Sequence, residues 1–218
     1  MRPTLLLDLD GTLINSAPDL TAALNRLMAA RGLAPFTLAE TTAMIGDGVG
    51  RLIERAFAAR GRGFGRADVE AFSADYAAHS MEATRLYPGV EATLAALRDG
   101  GWGLAVCTNK LEAPARALLE AFGLGGFFAA IGGGDSFPVR KPDPAHLLAT
   151  LRAAGGEAGR AVMAGDHRND VRGAHGAGMG CVFAAWGYGT AEMGAEADAV
   201  AARFADLPEI AGRLVRGG

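Results

Sequence analysis

Asp8 and Asp10 stand two positions apart at the end of an apolar run, in Leu5-Leu-Leu-Asp-Leu-Asp-Gly-Thr-Leu-Ile-Asn-Ser16. Side chains alternate along an extended strand, so the two carboxylates fall on one side with Leu9 turned away. Gly11 then lets the backbone turn sharply. An Asp carboxylate, which ordinarily titrates at about 3.9, is ionised at neutral pH and can act as a nucleophile without a base beside it. Asp10 is placed to supply the proton handling that Asp8 cannot. Two like charges held this close repel, so the pair asks for a positive partner. Mg2+ suits such a pair, because it favours one or two carboxylates completed by water and a substrate phosphate. The competing reading of Asp-Leu-Asp-Gly is a solvated turn that closes a strand.

Further along, three more polar groups follow apolar runs or lie in fixed loops. Thr108 and Asn109 follow Gly103 to Cys107, Lys141 sits in Lys141-Pro-Asp-Pro144, and Asp166 and Asp170 follow Ala161 to Gly165. In an open α/β sheet, ligands bind beyond the carboxyl ends of the strands. A nucleophile, a metal site, a hydroxyl and amide for phosphate oxygens, and a cation for developing charge would then meet there. Taken singly, Thr108-Asn109 also reads as a helix cap, Lys141 as a surface lysine and Asp166 to Asp170 as a capped turn. Their order and their placement at strand ends argue for a site.

The elements that must position these groups follow from periodicity. Leu5, Leu6 and Leu7 form a continuous apolar run of the kind buried on both faces of a parallel sheet. From Ala17 to Thr84 the pattern is helical and shows no strand. Ser16 is a candidate cap with Pro18 in the first turn, Leu20, Ala23, Leu24 and Leu27 recur at helical spacing, and Gly32 stops the helix. Thr37 to Glu40 is a capping box opening a second helix that is expected to run on to Gly46-Asp-Gly-Val-Gly50. Two more helices follow, one through Leu52 to Phe57 and one from about Asp68. After Tyr87-Pro-Gly89, strand and helix alternate to the end, with strands expected at 103–107, 128–131, 161–164, 181–185 and 199–201. The fold class is therefore α/β. A Rossmann-like parallel sheet core with helices on both faces is expected over 1–16 and 85–218, with an inserted α-helical cap domain over 17–84 that would close over the acidic loop as a lid.

Composition narrows the function classes. The 218 residues are 50% hydrophobic and 21% charged, as in a soluble globular protein. A formal net charge of -3 and the lack of any Lys/Arg run argue against a nucleic-acid binder. No apolar run is long enough to cross a bilayer, and the acidic start is unlike a signal peptide, so a cytoplasmic protein without a membrane partner is expected. Cys107 and Cys181 lack CxxC spacing, and His79, His146, His167 and His175 form no HExxH pattern.

With these residues in view, the chain resembles the haloacid dehalogenase-like hydrolases along nearly its whole length. Their first motif is similar to Asp8-Leu-Asp10-Gly-Thr12, the second to Thr108, the third to Lys141 and the fourth to Gly165-Asp166 with Asp170. The resemblance implies that Asp8 attacks phosphorus to form an aspartyl phosphate, while Asp10 protonates the leaving oxygen and then activates water. It also implies that Thr108, Asn109 and Lys141 hold phosphoryl oxygens, and that Mg2+ is held by Asp8, the Asp10 carbonyl and Asp166 with Asp170 in support. Asp10 favours a phosphatase over the family's dehalogenase branch. Finer matches at Ile45-Gly-Asp-Gly48, Leu86-Tyr-Pro-Gly-Val90, Cys107-Thr-Asn-Lys110, Gly133-Gly-Asp-Ser136 and Arg168-Asn-Asp170 resemble the phosphoglycolate phosphatase group.

Two positions depart from the family. Asn15 replaces a common aspartate, and His167 replaces a small hydroxyl residue, where it would narrow the site, donate a hydrogen bond, or simply face solvent. The glycines around Gly46, Asp47 and Gly48 would offer backbone N–H groups to a small carboxylate, and serve equally well as a helix–helix turn. Arg51 and Arg55 nearby would assist or remain solvated. The expectation is a Mg2+-dependent phosphomonoesterase for 2-phosphoglycolate, a small phosphorylated metabolite, working as a monomer or homodimer. The alternatives are a phosphatase for a sugar phosphate or pyrophosphate, a phosphosugar mutase, and a non-catalytic phospho-ligand sensor.

Overall fold

Leu5, Leu6 and Leu7 are fully buried, and they form the centre of a parallel sheet in β1 (Thr4–Leu7). In the computed structural model, which describes residues 2–217, the chain continues through β2 (Ile14–Asn15), α1 (Ala17–Ala30), α2 (Leu38–Thr42), α3 (Val49–Ala59), α4 (Arg66–His79) and β3 (Arg85–Leu86). It goes on through α5 (Val90–Asp99), β4 (Gly103–Cys107), α6 (Glu112–Ala121), β5 (Ala130–Gly132), α7 (Pro144–Ala153) and β6 (Ala161–Gly165). The last elements are α8 (Arg168–Gly176), β7 (Gly180–Ala184), β8 (Ala199–Ala201) and α9 (Leu207–Gly217). The chain divides into two units, Met1–Ile14 with Leu86–Gly218, and Asn15–Arg85.

The first unit is an α/β fold around one six-stranded sheet in the order β5-β4-β1-β6-β7-β8. Each ladder described is parallel. Because strand side chains alternate, Leu5 and Leu7 join one core with Leu94, Leu118 and Leu207 from the helices on that side. Leu6 joins the other, with Leu147, Leu151 and Val171 from α7 and α8. Helices on both faces explain the unbroken apolar strands. Register carries the functional consequence: Leu7 lies opposite both Val106 and Ala164, so the residues after β1, β4 and β6 emerge side by side. The strand expected at 128–131 begins its ladder with β4 only at Ala130, because Gly125–Phe127 is wound into a 3-10 turn just before it.

The second unit packs Leu20, Leu24 and Met28 of α1 against Ile53 and Phe57 of α3 and Phe72 and Tyr76 of α4. Gly32, at φ 66, ends α1 as expected. Ser16 occupies the N-cap position but makes no side-chain capping bond, so that expectation is corrected. The Thr37 capping box is present, yet α2 spans only Leu38–Thr42 and does not run on to Gly46. The hydroxyls of Thr41 and Thr42 bond back to the carbonyls of Thr37 and Leu38 at 3.1 and 2.8 Å, a competing interaction that disfavours a longer helix. The Gly46 to Gly48 loop uses positive φ at both glycines, 120° and 84°. Arg55 braces it through Asp47 and through the Met44 carbonyl at 3.0 Å. No helix among the described residues is long and apolar enough to cross a membrane.

Asp19 closes this unit on itself. Buried in the first turn of α1, its carboxylate accepts the backbone N–H groups of Ala83 and Thr84 at 2.9 and 2.8 Å and the Thr84 hydroxyl at 2.7 Å. The two ends of the insert are thus tied by one side chain. Asp19→Ala would strand these donors without an acceptor at a cost of about 1–3 kcal/mol each where buried. We expect a fall in unfolding free energy on the order of 3 kcal/mol by urea denaturation. A change within about 0.5 kcal/mol, the usual range for a surface substitution, would show that the tie does not carry stability.

Candidate active site

The loops at the carboxyl ends of β1, β4 and β6 bring together Asp8, Thr108 and Asp166, and the side chains of all three are buried. Gly11, at φ 85, makes the approach possible: a Cβ there would lie 2.2 Å from Asp166 Oδ2. Gly165 serves Asp170 in the same way, since a Cβ would meet its carboxylate at 2.2 Å. Only glycine permits backbone and carboxylate to come so close.

Lys141 is the cation of the group. Its ammonium lies 3.0 Å from Asp8 Oδ1 and 2.7 Å from Asp170 Oδ1, and donates to the Cys107 carbonyl at 2.6 Å. Burial works against the charged amine, but Asp170 and Asp8 outweigh it and hold Lys141 well above the ordinary lysine range. The lysine sits 2% exposed, so its reading as a surface residue is excluded. Its backbone is fixed as well: the Lys141 N–H donates to His146 Nδ1 at 3.1 Å, and Asn109 Nδ2 donates to the Lys141 carbonyl at 3.0 Å. Burial first, and then the Lys141 charge, press the His146 imidazole down to about 4, so it is neutral and accepts that bond.

Asp166 accepts the Thr12 hydroxyl at 2.9 Å on Oδ1 and the Tyr188 N–H at 2.7 Å on Oδ2. Burial, with Asp8 and Asp170 adding repulsion, pushes it up to about 8. Asp8 is raised by burial to about 6, with Lys141 opposing. Oxygens of Asp8, Asp166 and Asp170 lie within 4.8 Å of one another. Three buried carboxylates against one ammonium leave an excess of negative charge, and an all-oxygen set of this kind fits a hard divalent cation.

Asp10 has a different surrounding. Both its oxygens lie 3.2 Å from Lys110 Nζ. Thr108 Oγ1 accepts the Lys110 N–H at 3.2 Å, which leaves its hydroxyl hydrogen to be donated. The glycine turn after β5 presses against this loop: Thr108 N–H donates to the Gly132 carbonyl at 2.9 Å and Gly134 N–H to the Lys110 carbonyl at 2.7 Å. His167 is half-buried and caps α8, its Nδ1 accepting the Asn169 N–H at 3.2 Å while its backbone N–H donates to Asp170 Oδ2 at 3.0 Å. An imidazole nitrogen thus performs the acceptor task of a small hydroxyl.

Asp8, Asp10, Thr108, Asn109, Lys141, Asp166 and Asp170 all belong to the first unit, whereas Gly46, Asp47 and Gly48 belong to the second. Sequence reasoning assigned no role to Lys110, His146 or Tyr188. Tyr188 acts through its backbone N–H, and its only sequence signal is the pair of flanking glycines. Gly187 and Gly189 would each bring a Cβ into Asp166, at 2.2 and 1.8 Å.

Comparison with known proteins gives consistent relatives. The family model described as haloacid dehalogenase-like hydrolase matches residues 3–178. A phosphoglycolate phosphatase of Agrobacterium fabrum is 42% identical over 224 residues, covering 100% of this chain and 96% of that protein. The crystal structure of a predicted phosphoglycolate phosphatase from Haemophilus somnus superposes with a TM-score of 0.87 at 30% identity, covering 96% of this chain and 97% of that one. A mutant of CbbY from Rhodobacter sphaeroides in complex with xylulose-(1,5)-bisphosphate gives 0.79 at 28% identity, covering 95% and 96%.

The raised carboxyls set the sign of a pH effect. Groups whose folded pKa exceeds the unfolded value stabilise fully below the unfolded value and lose that contribution as pH rises through the folded one. Asp8 and Asp166 rise from 3.8 to about 6 and about 8. In chelator, the melting temperature is therefore expected to fall as pH goes from about 4 to about 8, and Asp166→Asn should flatten the upper part of that fall. A melting temperature that climbs across this window in chelator would contradict the assignment.

Proposed function

The chain belongs to the haloacid dehalogenase-like hydrolases, and from that premise we propose that it is a Mg2+-dependent phosphomonoesterase that hydrolyses 2-phosphoglycolate to glycolate and phosphate. The observation that carries this reading is the buried group of Asp8, Asp166 and Asp170 closed by Lys141 at the carboxyl edge of the parallel sheet. The substrate is supported by the phosphoglycolate phosphatase that is 42% identical over the whole chain.

Asp8 is the nucleophile. Leu9 N–H at 2.7 Å and Lys141 at 3.0 Å both engage its Oδ1, which leaves Oδ2 to attack phosphorus as the ester P–O bond breaks. Asp10 gives its proton to the leaving glycolate oxygen and then takes one from the water that cleaves the aspartyl phosphate. The Lys141 ammonium and the Thr108 hydroxyl hold phosphoryl oxygens, while Asn109 keeps the Lys141 loop in place by its bond to the carbonyl. Asp8, the Asp10 carbonyl, Asp166 and Asp170 would hold Mg2+, which when bound supplies positive charge to the phosphoryl oxygens. The insert loop Gly46, Asp47 and Gly48, whose conformation Arg55 fixes, is the proposed selector of the leaving group.

A second reading, a phosphatase for sugar phosphates, is supported by the neighbour in complex with xylulose-(1,5)-bisphosphate. Phosphate release from 2-phosphoglycolate beside a panel of sugar phosphates and pyrophosphate distinguishes the two. We expect 2-phosphoglycolate to give the highest kcat/KM, with turnover abolished by chelator and lowered on the order of a thousandfold or more in Asp8→Asn. A sugar phosphate that clearly outruns 2-phosphoglycolate would transfer the assignment to the second reading, and full activity in Asp8→Asn would remove the nucleophile.

A further inference from the structure

Lys110 is a second lysine of the site that the chemistry above does not use. Its ammonium lies 3.2 Å from both Asp10 oxygens, with the side chains only 8% and 14% exposed. The stem is held at its base from two directions, by Thr108 Oγ1 on its N–H and by Gly134 on its carbonyl. The close approach is built in: a Cβ on Gly134 would lie 2.5 Å from the Asn109 carbonyl oxygen. A cation is thus fixed beside the group that hands a proton to the leaving oxygen.

We infer that Lys110 is the residue of the core that admits an anionic leaving group, by pairing with the carboxylate of the substrate. The inference rests on the phosphoglycolate reading and deepens it. The proton-donating Asp10 oxygen must come within about 2.6–3.2 Å of the ester oxygen. In 2-phosphoglycolate a single methylene separates that oxygen from the carboxyl carbon, so the carboxylate oxygens lie roughly 3 Å from the ester oxygen by ordinary bond lengths. A carboxylate delivered there enters a site that already gathers the buried carboxylates of Asp8, Asp166 and Asp170, and needs a cation beside it to offset that charge. The Lys110 ammonium has three donors, enough to hold Asp10 and the incoming carboxylate together. A neutral leaving group needs no such cation.

The test compares 2-phosphoglycolate with 2-hydroxyethyl phosphate, which keeps the ester and the methylene but carries a neutral alcohol in place of the carboxylate. The readout is the ratio of their kcat/KM values in the wild-type protein, Lys110→Met, Lys110→Gln and Lys110→Arg, with Mg2+ present. We expect the ratio to fall at least tenfold in the Met and Gln variants, chiefly through a higher KM for 2-phosphoglycolate, and to fall less in the Arg variant, which keeps a cation. Loss of activity in equal proportion on both substrates would overturn the inference and leave Lys110 acting on Asp10 alone. The Gln variant keeps a polar stem and gives the same readout should the Met variant fail to fold. A wild-type protein with no preference for 2-phosphoglycolate over the neutral ester would instead sink the substrate assignment itself, so the two failures are told apart.

Discussion

The Lys141 ammonium, 3.0 Å from Asp8 and 2.7 Å from Asp170, is the interaction on which the rest of the site depends. Asp8, Asp166 and Asp170 lie close together with almost no access to water. Without a cation their charges would repel one another and Asp8 would be driven further towards its protonated form, which is no nucleophile. A buried ion group of this kind is weak evidence for stability, because desolvation offsets much of the attraction. Its value lies in placement. In the proposed reaction the same ammonium that opposes protonation of Asp8 also holds a phosphoryl oxygen, so one side chain would serve both charge balance and catalysis.

Holding Lys141 there takes support that is spread over the sheet. Its Nζ is oriented by the Cys107 carbonyl at the end of β4, its N–H by His146 in α7 and its carbonyl by Asn109. Asp170 is oriented in turn by the His167 N–H at the start of α8. Most of these contacts come from outside the lysine loop, so the parallel register that aligns Leu7 with Val106 and Ala164 is a condition for the chemistry. Glycines set how closely the backbone of the site loops approaches the carboxylates. At Gly11 and Gly165 a single methyl group would occupy the space of a site carboxylate.

The apolar runs make much of this legible from the sequence. Leu5 to Leu7, Gly103 to Cys107 and Ala161 to Ala164 announce buried strands, and the polar residues that follow each run are the ones the structure brings into the site. Short elements carry too little signal. The two-residue strands β2 and β3, which pair with each other, have no period to detect, and α2 reads longer than it is because Thr41 and Thr42 look like helix residues until their hydroxyls find the preceding carbonyls. Partnerships between distant residues are harder still. Lys110 and Asp10 are 100 positions apart, and Tyr188 reaches Asp166 through a backbone N–H that every residue but proline possesses. His167 shows the opposite difficulty: it departs from the family in residue type yet keeps the capping acceptor.

Asp8 and Asp10 differ by two positions, and their surroundings differ in the way that the separate tasks proposed for them require. Asp8 shares its lysine with Asp170 at the bottom of a dehydrated group, where both Leu9 N–H and Lys141 fix the same oxygen. Asp10 faces Lys110, whose ammonium is equidistant from both of its oxygens. One carboxylate is thereby held through a single oxygen, which fits its proposed attack on phosphorus with the other. The other has both oxygens at one distance from its lysine, which suits the proposed role of giving a proton in one half of the reaction and taking one in the other. Different environments for neighbouring carboxylates are how one chemical type performs both nucleophilic and acid–base work. Here the division is made by two lysines, one approaching from the loop before α7 and one from the loop after β4.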